Sequence, residues 1–471
     1  MVIAGEWTLG NREEELRSPY SCELIETVQL AEAADVDRAL AAAVRGARHQ
    51  RQLSGHEREA ILRRAGDLAD ERVEPLAQTI SSETGKPIRE ARGEASRVGD
   101  LLRLSAFEGS QLYGDSLPLD AAPNGGTTRL GFTLRQPCGV VVAITPFNFP
   151  ALLVVHKIGP ALAAGNAVVL KPARQTPLSA LMLTDILLEA GLHPEAISCL
   201  TGPGEVLGDA LCRDPRVRKI SFTGSAETGE RITRTAGLKR LSLELGASCP
   251  VIVLADADLE QAASAIALGG YTNAGQVCIS VQRVVAERRI AGDLLDALLP
   301  KVQAIKLGDP AEPDTALGSL ISERDAARVE EALRESSQNG ARILTGGERA
   351  GSVLTPAIVA DVDPHSRLSQ DELFGPAVAV TAAADVDEAI QLANSTRFGL
   401  GAGVFTGNVS NAVRFAREVD AGNVHINWTP LWRADLMPYG GLKDSGFGKE
   451  GPRYAVEEMT DMKTVVLHGS S

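Results

Sequence analysis

Three residues, far apart in the chain, carry groups able to do covalent chemistry: the thiol of Cys278, the carboxylate of Glu244 and the amide of Asn148. Cys278 stands in "NAGQVCISVQR", between polar residues and a β-branched run. A cysteine is a nucleophile as the thiolate, so it needs a lowered pKa or a base close by; without these it is an ordinary small core residue. Glu244 ends the apolar run "LSLEL". A carboxylate at the end of a buried strand either turns to solvent or is held partly out of water, where its pKa rises and it becomes a general base. Asn148 lies in "ITPFNFP", where two prolines and two phenylalanines constrain the loop around one amide. Asparagine is a common turn residue, but a fixed amide N–H aimed at a developing alkoxide lowers a barrier by about 3 kcal/mol.

Two glycine loops could approach a phosphate closely. "TGPGEVLG" holds Gly202, Gly204 and Gly208; "FTGSAETG" holds Gly224, Ser225 and Gly229. Each precedes a helix whose N-terminal amides could meet a pyrophosphate, although neither is a standard GxGxxG. Lys171 and Arg174, in "KPARQTP", follow directly on a strand and read either as a solvated basic turn or as part of the same site.

These residues need a scaffold. Residues 30–110 read mostly as helices: "DVDRALAAAVRGARHQ" and "EREAILRRAGDLADERVEPLAQTISSETG" repeat apolar residues at spacings of three and four, and Gly85 and Pro87 stop the second. Over 127–135 Leu130, Phe132 and Leu134 alternate with smaller or polar residues, the pattern of a half-buried strand. From residue 139 short apolar strands ("GVVVAI", "NAVVLKP", "AISCLTG", "RKISFTG", "RLSLELG") alternate with helices, and Thr176 with Pro177 is expected to open one of these helices. The rhythm predicts a doubly wound, Rossmann-like parallel sheet. Residues 250–425 repeat it in "PVIVLADADL", "RVVAER", "TPAIVADV" and "AVAVTAAADVDEAIQLAN", a second α/β domain. The terminal "KTVVLHG" reads as a strand that could join 127–135 in a projecting sheet able to pair with another subunit.

The chain of 471 residues exceeds what one core supports, so two or three domains are expected. A net charge of -14 argues against nucleic acid as a partner but leaves room for a locally basic pocket. The first residues show no signal-peptide pattern, and no apolar run reaches the roughly 20 residues of a membrane span. The six cysteines show neither a disulfide framework nor metal-site spacing, which fits a cytoplasmic protein with free thiols and no bound metal.

Taken together, "PFNFP", "KPARQTP", "FTGSAETG", "LELG", "GQVCIS", "DELFGP" and "MPYGGLKDSGFGKEG" resemble the aldehyde dehydrogenase superfamily in order and spacing, from about residue 20 to residue 468. The branch most similar is that of lactaldehyde, semialdehyde and phosphonoacetaldehyde dehydrogenases. The resemblance implies a cofactor-binding domain over 1–122 and 140–247, a catalytic domain over 248–456 and an oligomerisation sheet over 123–139 and 457–471, assembled as a homodimer or homotetramer. It implies Cys278 as nucleophile, Glu244 as general base, and Asn148 with the Cys278 N–H as oxyanion hole. It places Lys171 on the adenosine ribose, Gly204, Gly224 and Ser225 around the pyrophosphate, Glu372 on the nicotinamide ribose and Phe374 against the nicotinamide. The expected reaction is NAD(P)-dependent oxidation of an aldehyde to the acid through a cysteine thioester.

Departures from the family's pattern refine the reading. Arg174 stands where NAD-preferring members often carry Glu, and a guanidinium pairs with a 2′-phosphate, so NADP is favoured slightly over NAD. Ala247 replaces a glycine usual after "ELG", and Val277 replaces an Arg that some members acting on phosphorylated substrates carry before the cysteine. His156 matches a position often aromatic in members taking apolar aldehydes. Arg433, in "PLWRADLMPYGG", lies in the loop that usually closes the substrate tunnel. With Arg103 as a further candidate, these residues point to a small polar or anionic aldehyde. The rival readings are a coenzyme A-acylating semialdehyde dehydrogenase, a non-catalytic binding protein on the same fold and, more distantly, an acyl-phosphate reductase.

Overall fold

Five short, largely apolar strands are mostly buried on both faces, and they stack side by side. The computed structural model describes residues 1–469 and places Ile197–Cys199, Ala167–Lys171, Val140–Ile144, Val217–Thr223 and Arg240–Glu244 in that spatial order, all parallel. The N-terminal hairpin Val2–Ile3 and Glu6–Trp7 adds antiparallel at one edge, and Gly446–Phe447 at the other. Helices cover both faces, as expected of a doubly wound sheet. A second sheet of seven strands contains the parallel set Ala357–Ala360, Ala377–Ala383, Val281–Glu287, Cys249–Val253, Gly401–Phe405 and Asn423–Ile426, with Arg342–Thr345 antiparallel at its edge. A third sheet pairs Thr460–His468 along the whole length of Arg129–Pro137, with Ser116–Leu117 outside them. It leaves Leu130, Leu134, Met462, Val466 and Leu467 exposed. Among the described residues no helix is long and apolar enough to cross a membrane.

The expected division of the chain differs from this pairing in two places. Gly446–Phe447 completes the first sheet, and the helix Pro452–Glu458 packs against helices Val98–Ser110 and Leu152–Ala163 of the first unit. Ser470 and Ser471, the end of the expected 457–471 segment, lie outside the described residues.

Local chemistry explains two further departures. The long helical run over 57–85 is two helices, Gly55–Glu71 and Val73–Thr84, broken at Arg72, whose φ and ψ leave the helical region. Thr176 does not cap the helix Leu178–Glu189. Glu83 does, accepting from the Leu178 and Ser179 N–H groups at 2.9 and 3.1 Å. A carboxylate at a helix N-terminus satisfies free amides and meets the positive end of the dipole. Glu94 repeats the device for Leu152–Ala163, its Oε1 accepting from the Ala151 and Leu152 N–H groups at 2.9 and 3.1 Å. Its other oxygen meets the buried Lys86 ammonium at 2.5 Å. Lys86 also donates to the Asn148 carbonyl at 2.8 Å, so this ion pair holds the Asn148 loop.

Breaking a buried pair leaves one charge uncompensated, at about 3–5 kcal/mol. Lys86→Met is expected to lower the thermal midpoint by several degrees, and Lys86→Met with Glu94→Gln to recover part of it. A single variant as stable as the parent by calorimetry contradicts this.

Candidate active site

The functional candidates of the first sheet stand at the carboxyl ends of its strands, where a parallel α/β sheet opens its crevice. Asn148 follows Val140–Ile144, Lys171 ends Ala167–Lys171, Ser225 follows Val217–Thr223, and Glu244 ends Arg240–Glu244. Facing them is the turn that leads into the strand Val281–Glu287. Asn273 and Ala274 take left-handed backbone conformations there, with φ of 52° and 53°. Such residues cost about 1–2 kcal/mol each and persist where contacts over-determine them. Asn273 has those contacts: its N–H donates to Glu90 at 2.8 Å and its Nδ2 to the Asn148 and Gln276 carbonyls at 3.2 and 3.3 Å. Gly275, φ 71°, packs so tightly that a Cβ would lie 2.1 Å from the Gly375 carbonyl oxygen. This close approach ties the cysteine turn to the segment carrying Glu372 and Phe374.

Cys278 emerges from that turn partly covered. Its Sγ lies 3.0 Å from the Tyr439 hydroxyl. Burial raises the thiol pKa well above its usual value, the negative charge of Glu244 adds to this, and the Tyr439 hydroxyl opposes it. The resting group is the thiol, so the site needs a base. Glu244 is buried, with no hydrogen-bond partner of good geometry for either oxygen. Desolvation first, then the Glu450 carboxylate, raises its pKa to about 7. A carboxylate that takes up a proton near neutrality, beside a thiol, suits general-base work. Asn148 completes the set. Its Nδ2 donates to the Gln276 carbonyl at 2.9 Å, two residues before Cys278, which fixes the amide and leaves its second N–H free.

The structure surrounds this centre with charges, of which the sequence analysis singled out Arg433 but not Lys157, Glu450 or Asp435. Lys157, wholly buried, donates to Thr223 Oγ1 at 2.6 Å and to Glu450 at 2.8 Å. Arg433 reaches the other oxygen of Glu450 at 3.1 Å and His156 Nδ1 at 3.2 Å, and its guanidinium lies 3.9 Å from the centre of the Tyr439 ring. Its Nε is buried without an acceptor. His156 has its pKa pushed down to about 4, chiefly by burial and then by Arg433, so it is neutral at pH 7. Because Arg433 donates to Nδ1, the ring proton sits on Nε2, 3.3 Å from Asp435 and off the line of a full hydrogen bond. Asp435 in turn pairs with Arg97 at 2.5 Å.

His156 and Arg433 are therefore brought together, and Arg103 is not. Arg103 bonds Asp67, Asp70 and Asp100 at 3.1, 2.6 and 2.9 Å between helices Gly55–Glu71 and Val98–Ser110, which satisfies its charge away from the site. Arg97 is the arginine of this region that reaches it. Six residues are about 600° of helix, or some 240° around the axis, so the two arginines face different ways. Tyr439 and Glu450 could have been sought in "MPYGGLKDSGFGKEG", since that segment was already one of those that carry the family resemblance. Lys157 carried a plainer signal, as a cation beside His156 in an otherwise apolar helix.

A dinucleotide fits the remaining residues. Lys171 is buried and within the described residues its ammonium bonds only the Pro172 carbonyl, at 2.8 Å, which leaves further N–H donors; burial lowers its pKa to about 8. Gly204 opens the helix Gly204–Arg213, and Ser225 caps Ala226–Ala236, so two N-termini lie side by side with Gly224 leading into the second. Glu372 accepts from the Ala247 N–H at 3.0 Å with one oxygen and makes no bond within the described residues with the other. Burial raises its pKa to about 7. Phe374, at φ 49°, meets Phe147 edge-on with centroids 5.7 Å apart.

Comparison with known proteins agrees with this geometry. Residues 7–465 match the profile of the Aldehyde dehydrogenase family. The chain is 42% identical over 468 residues to a 3-sulfolactaldehyde dehydrogenase of Priestia aryabhattai, covering 99% of this chain and 98% of that protein. It is 38% identical over 473 residues to a lactaldehyde dehydrogenase of Methanococcus vannielii, covering 99% and 100%. Among solved structures, the glyceraldehyde-3-phosphate dehydrogenase GapN of Methanocaldococcus jannaschii, complexed with NADP, superposes with a TM-score of 0.93 at 36% identity, over 97% of this chain and 100% of that one. An NAD-dependent aldehyde dehydrogenase of Sinorhizobium meliloti superposes with a TM-score of 0.96 at 36% identity, over 99% of this chain and 94% of that one. This chain belongs to the aldehyde dehydrogenase family, and it is an oxidoreductase acting on aldehydes.

Proposed function

We propose that the protein oxidises a small anionic aldehyde to its carboxylic acid, by hydrolysis of a Cys278 thioester, with NADP or NAD and a slight preference for NADP. The observation that carries this reading is the unpartnered, buried Glu244 carboxylate beside the Cys278 thiol. Glu244 takes the thiol proton, and the sulfur adds to the aldehyde carbon. The free N–H of Asn148, with the Cys278 N–H, stabilises the oxyanion. A nicotinamide bound along Lys171, Gly204, Gly224, Ser225, Glu372 and Phe374 would supply the hydride acceptor. Once Glu244 has released the thiol proton to solvent, it deprotonates the water that cleaves the resulting thioester, and the leaving sulfur takes that proton back as the thiol. A resident base for water makes coenzyme A unnecessary as acyl acceptor, and an assay without it separates the two readings.

The substrate class follows from charge. Lys157, Arg97 and Arg433 face Glu450 and Asp435, so with His156 neutral the pocket carries one surplus positive charge when Glu244 is protonated and is balanced when Glu244 is ionised, never net negative. Arg433, with a buried N–H lacking an acceptor, is the group for a carboxylate, sulfonate or phosphate tail. The relatives named for sulfolactaldehyde and lactaldehyde support a short polar aldehyde. The exposed apolar side chains of the third sheet fit pairing into a homodimer or homotetramer, and the free cysteines fit the cytoplasm.

Glu244 acts when deprotonated, and its pKa is raised to about 7, so hydrolysis should accelerate as pH rises through 7 and lose its base as pH falls below. Glu244→Gln should lower steady-state kcat by about 100-fold or more, abolish that rise and slow the pre-steady-state burst of reduced cofactor as well, because the same carboxylate takes the thiol proton. A mutant that retains the rise refutes the assignment. Arg433→Ala should raise KM about 10-fold or more for a short anionic aldehyde and much less for a neutral one of the same length. Better turnover of hexanal than of the anionic aldehyde by the parent enzyme overturns the substrate class.

A further inference from the structure

Arg174 already has a partner. Its Nε and Nη2 bind the two oxygens of Glu14 at 2.7 and 2.5 Å, fork to fork. Glu14 belongs to the antiparallel hairpin Arg12–Arg17 and Leu24–Leu30, where it stands opposite Val28. The hairpin is fastened to the glycine loop. The Ala31 N–H donates to the Thr201 carbonyl at 2.8 Å, and the Thr201 hydroxyl donates to the Gln29 carbonyl. Glu14 is thus held at the rim of a cleft of about 420 Å³ that Arg174, Gln175, Thr201 and Gly202 also line. The pair is half open to water, 52% exposed on the Arg174 side chain and 34% on Glu14. A forked guanidinium–carboxylate pair fixes geometry well, but in water it contributes little free energy, so a doubly charged phosphate can displace it.

We propose that Glu14 determines cofactor selectivity by competing with the 2′-phosphate of NADP for the Arg174 guanidinium. This rests on the reading of Arg174 as the group that meets that phosphate. With Glu14 in place, Arg174 must first be released, and the displaced carboxylate stays near the incoming charge. The arrangement holds the preference for NADP to a slight one despite the arginine. NAD brings no phosphate to this spot and leaves the pair closed. Glu205, in the first turn of Gly204–Arg213, adds its negative charge to the field at Arg174 but makes no ion pair with it.

Equilibrium titration calorimetry with NADP and with NAD tests this without turnover, using the parent enzyme, Glu14→Gln, Arg174→Ala and the double variant. Glu14→Gln should tighten NADP binding about 5-fold and leave NAD within about 2-fold, and the gain should vanish in the Arg174→Ala background. Equal shifts for both cofactors, no shift for either, or a gain that persists without Arg174 overturns the proposal. Arg174→Ala should itself weaken NADP selectively. If it does so while Glu14→Gln is silent, the competition fails and the role of Arg174 stands. If Arg174→Ala leaves NADP binding unchanged, the underlying reading of Arg174 fails instead. An unaltered thermal midpoint for Glu14→Gln confirms an intact fold.

Discussion

A carboxylate kept from water with nothing to bond is the constraint around which this molecule is arranged. Glu244 gains no hydrogen bond of good geometry within the described residues, and such a group persists only where the surrounding charges compensate it. Lys157 and Arg433 lower its pKa, while burial and Glu450 raise it, and the balance leaves it near neutrality. Two sheets are needed for this balance. One brings Glu244, Asn148 and Lys171 to the carboxyl ends of parallel strands. The other presents Cys278 from the strained turn before Val281–Glu287. Buried ion pairs lock the loops between: Lys86 with Glu94 behind Asn148, and Lys157 with Glu450 behind Glu244.

The same charges join the base to the substrate pocket. Glu450 is shared by Lys157 and Arg433, so the proposed anchor for a substrate tail is electrostatically continuous with the proposed base Glu244. Neutral His156 lets Arg433 approach as a donor without repulsion, which a protonated ring would not. Tyr439 links the two regions again, its hydroxyl on Cys278 and its ring under Arg433. An anion bound at Arg433 would therefore be sensed at the reacting centre through a network only a few side chains long.

Much of the scaffold was legible in the chain because burial writes itself into periodicity. "GVVVAI", "NAVVLKP" and "RLSLELG" read as strands, and they appear as Val140–Ile144, Ala167–Lys171 and Arg240–Glu244. Failures came where a distant residue overrode a local signal. Thr176 has a good capping side chain, but Glu83, nearly a hundred residues away, brings a full charge to the same amides. Arg103 and Arg97 are equivalent by composition and differ by the face of one helix, which three aspartates claim for Arg103 and Asp435 claims for Arg97.

The sequence by itself determined the alternation of strands and helices, the family resemblance and the candidates Cys278, Glu244 and Asn148, because each depends on residue type and short-range spacing. Only the tertiary structure decided that Glu244 is buried and unpartnered, that His156 is neutral, that Arg433 shares Glu450 with Lys157, and that Glu14 occupies Arg174. Those properties are set by desolvation and by charges that meet in space across hundreds of residues, and no local pattern encodes them.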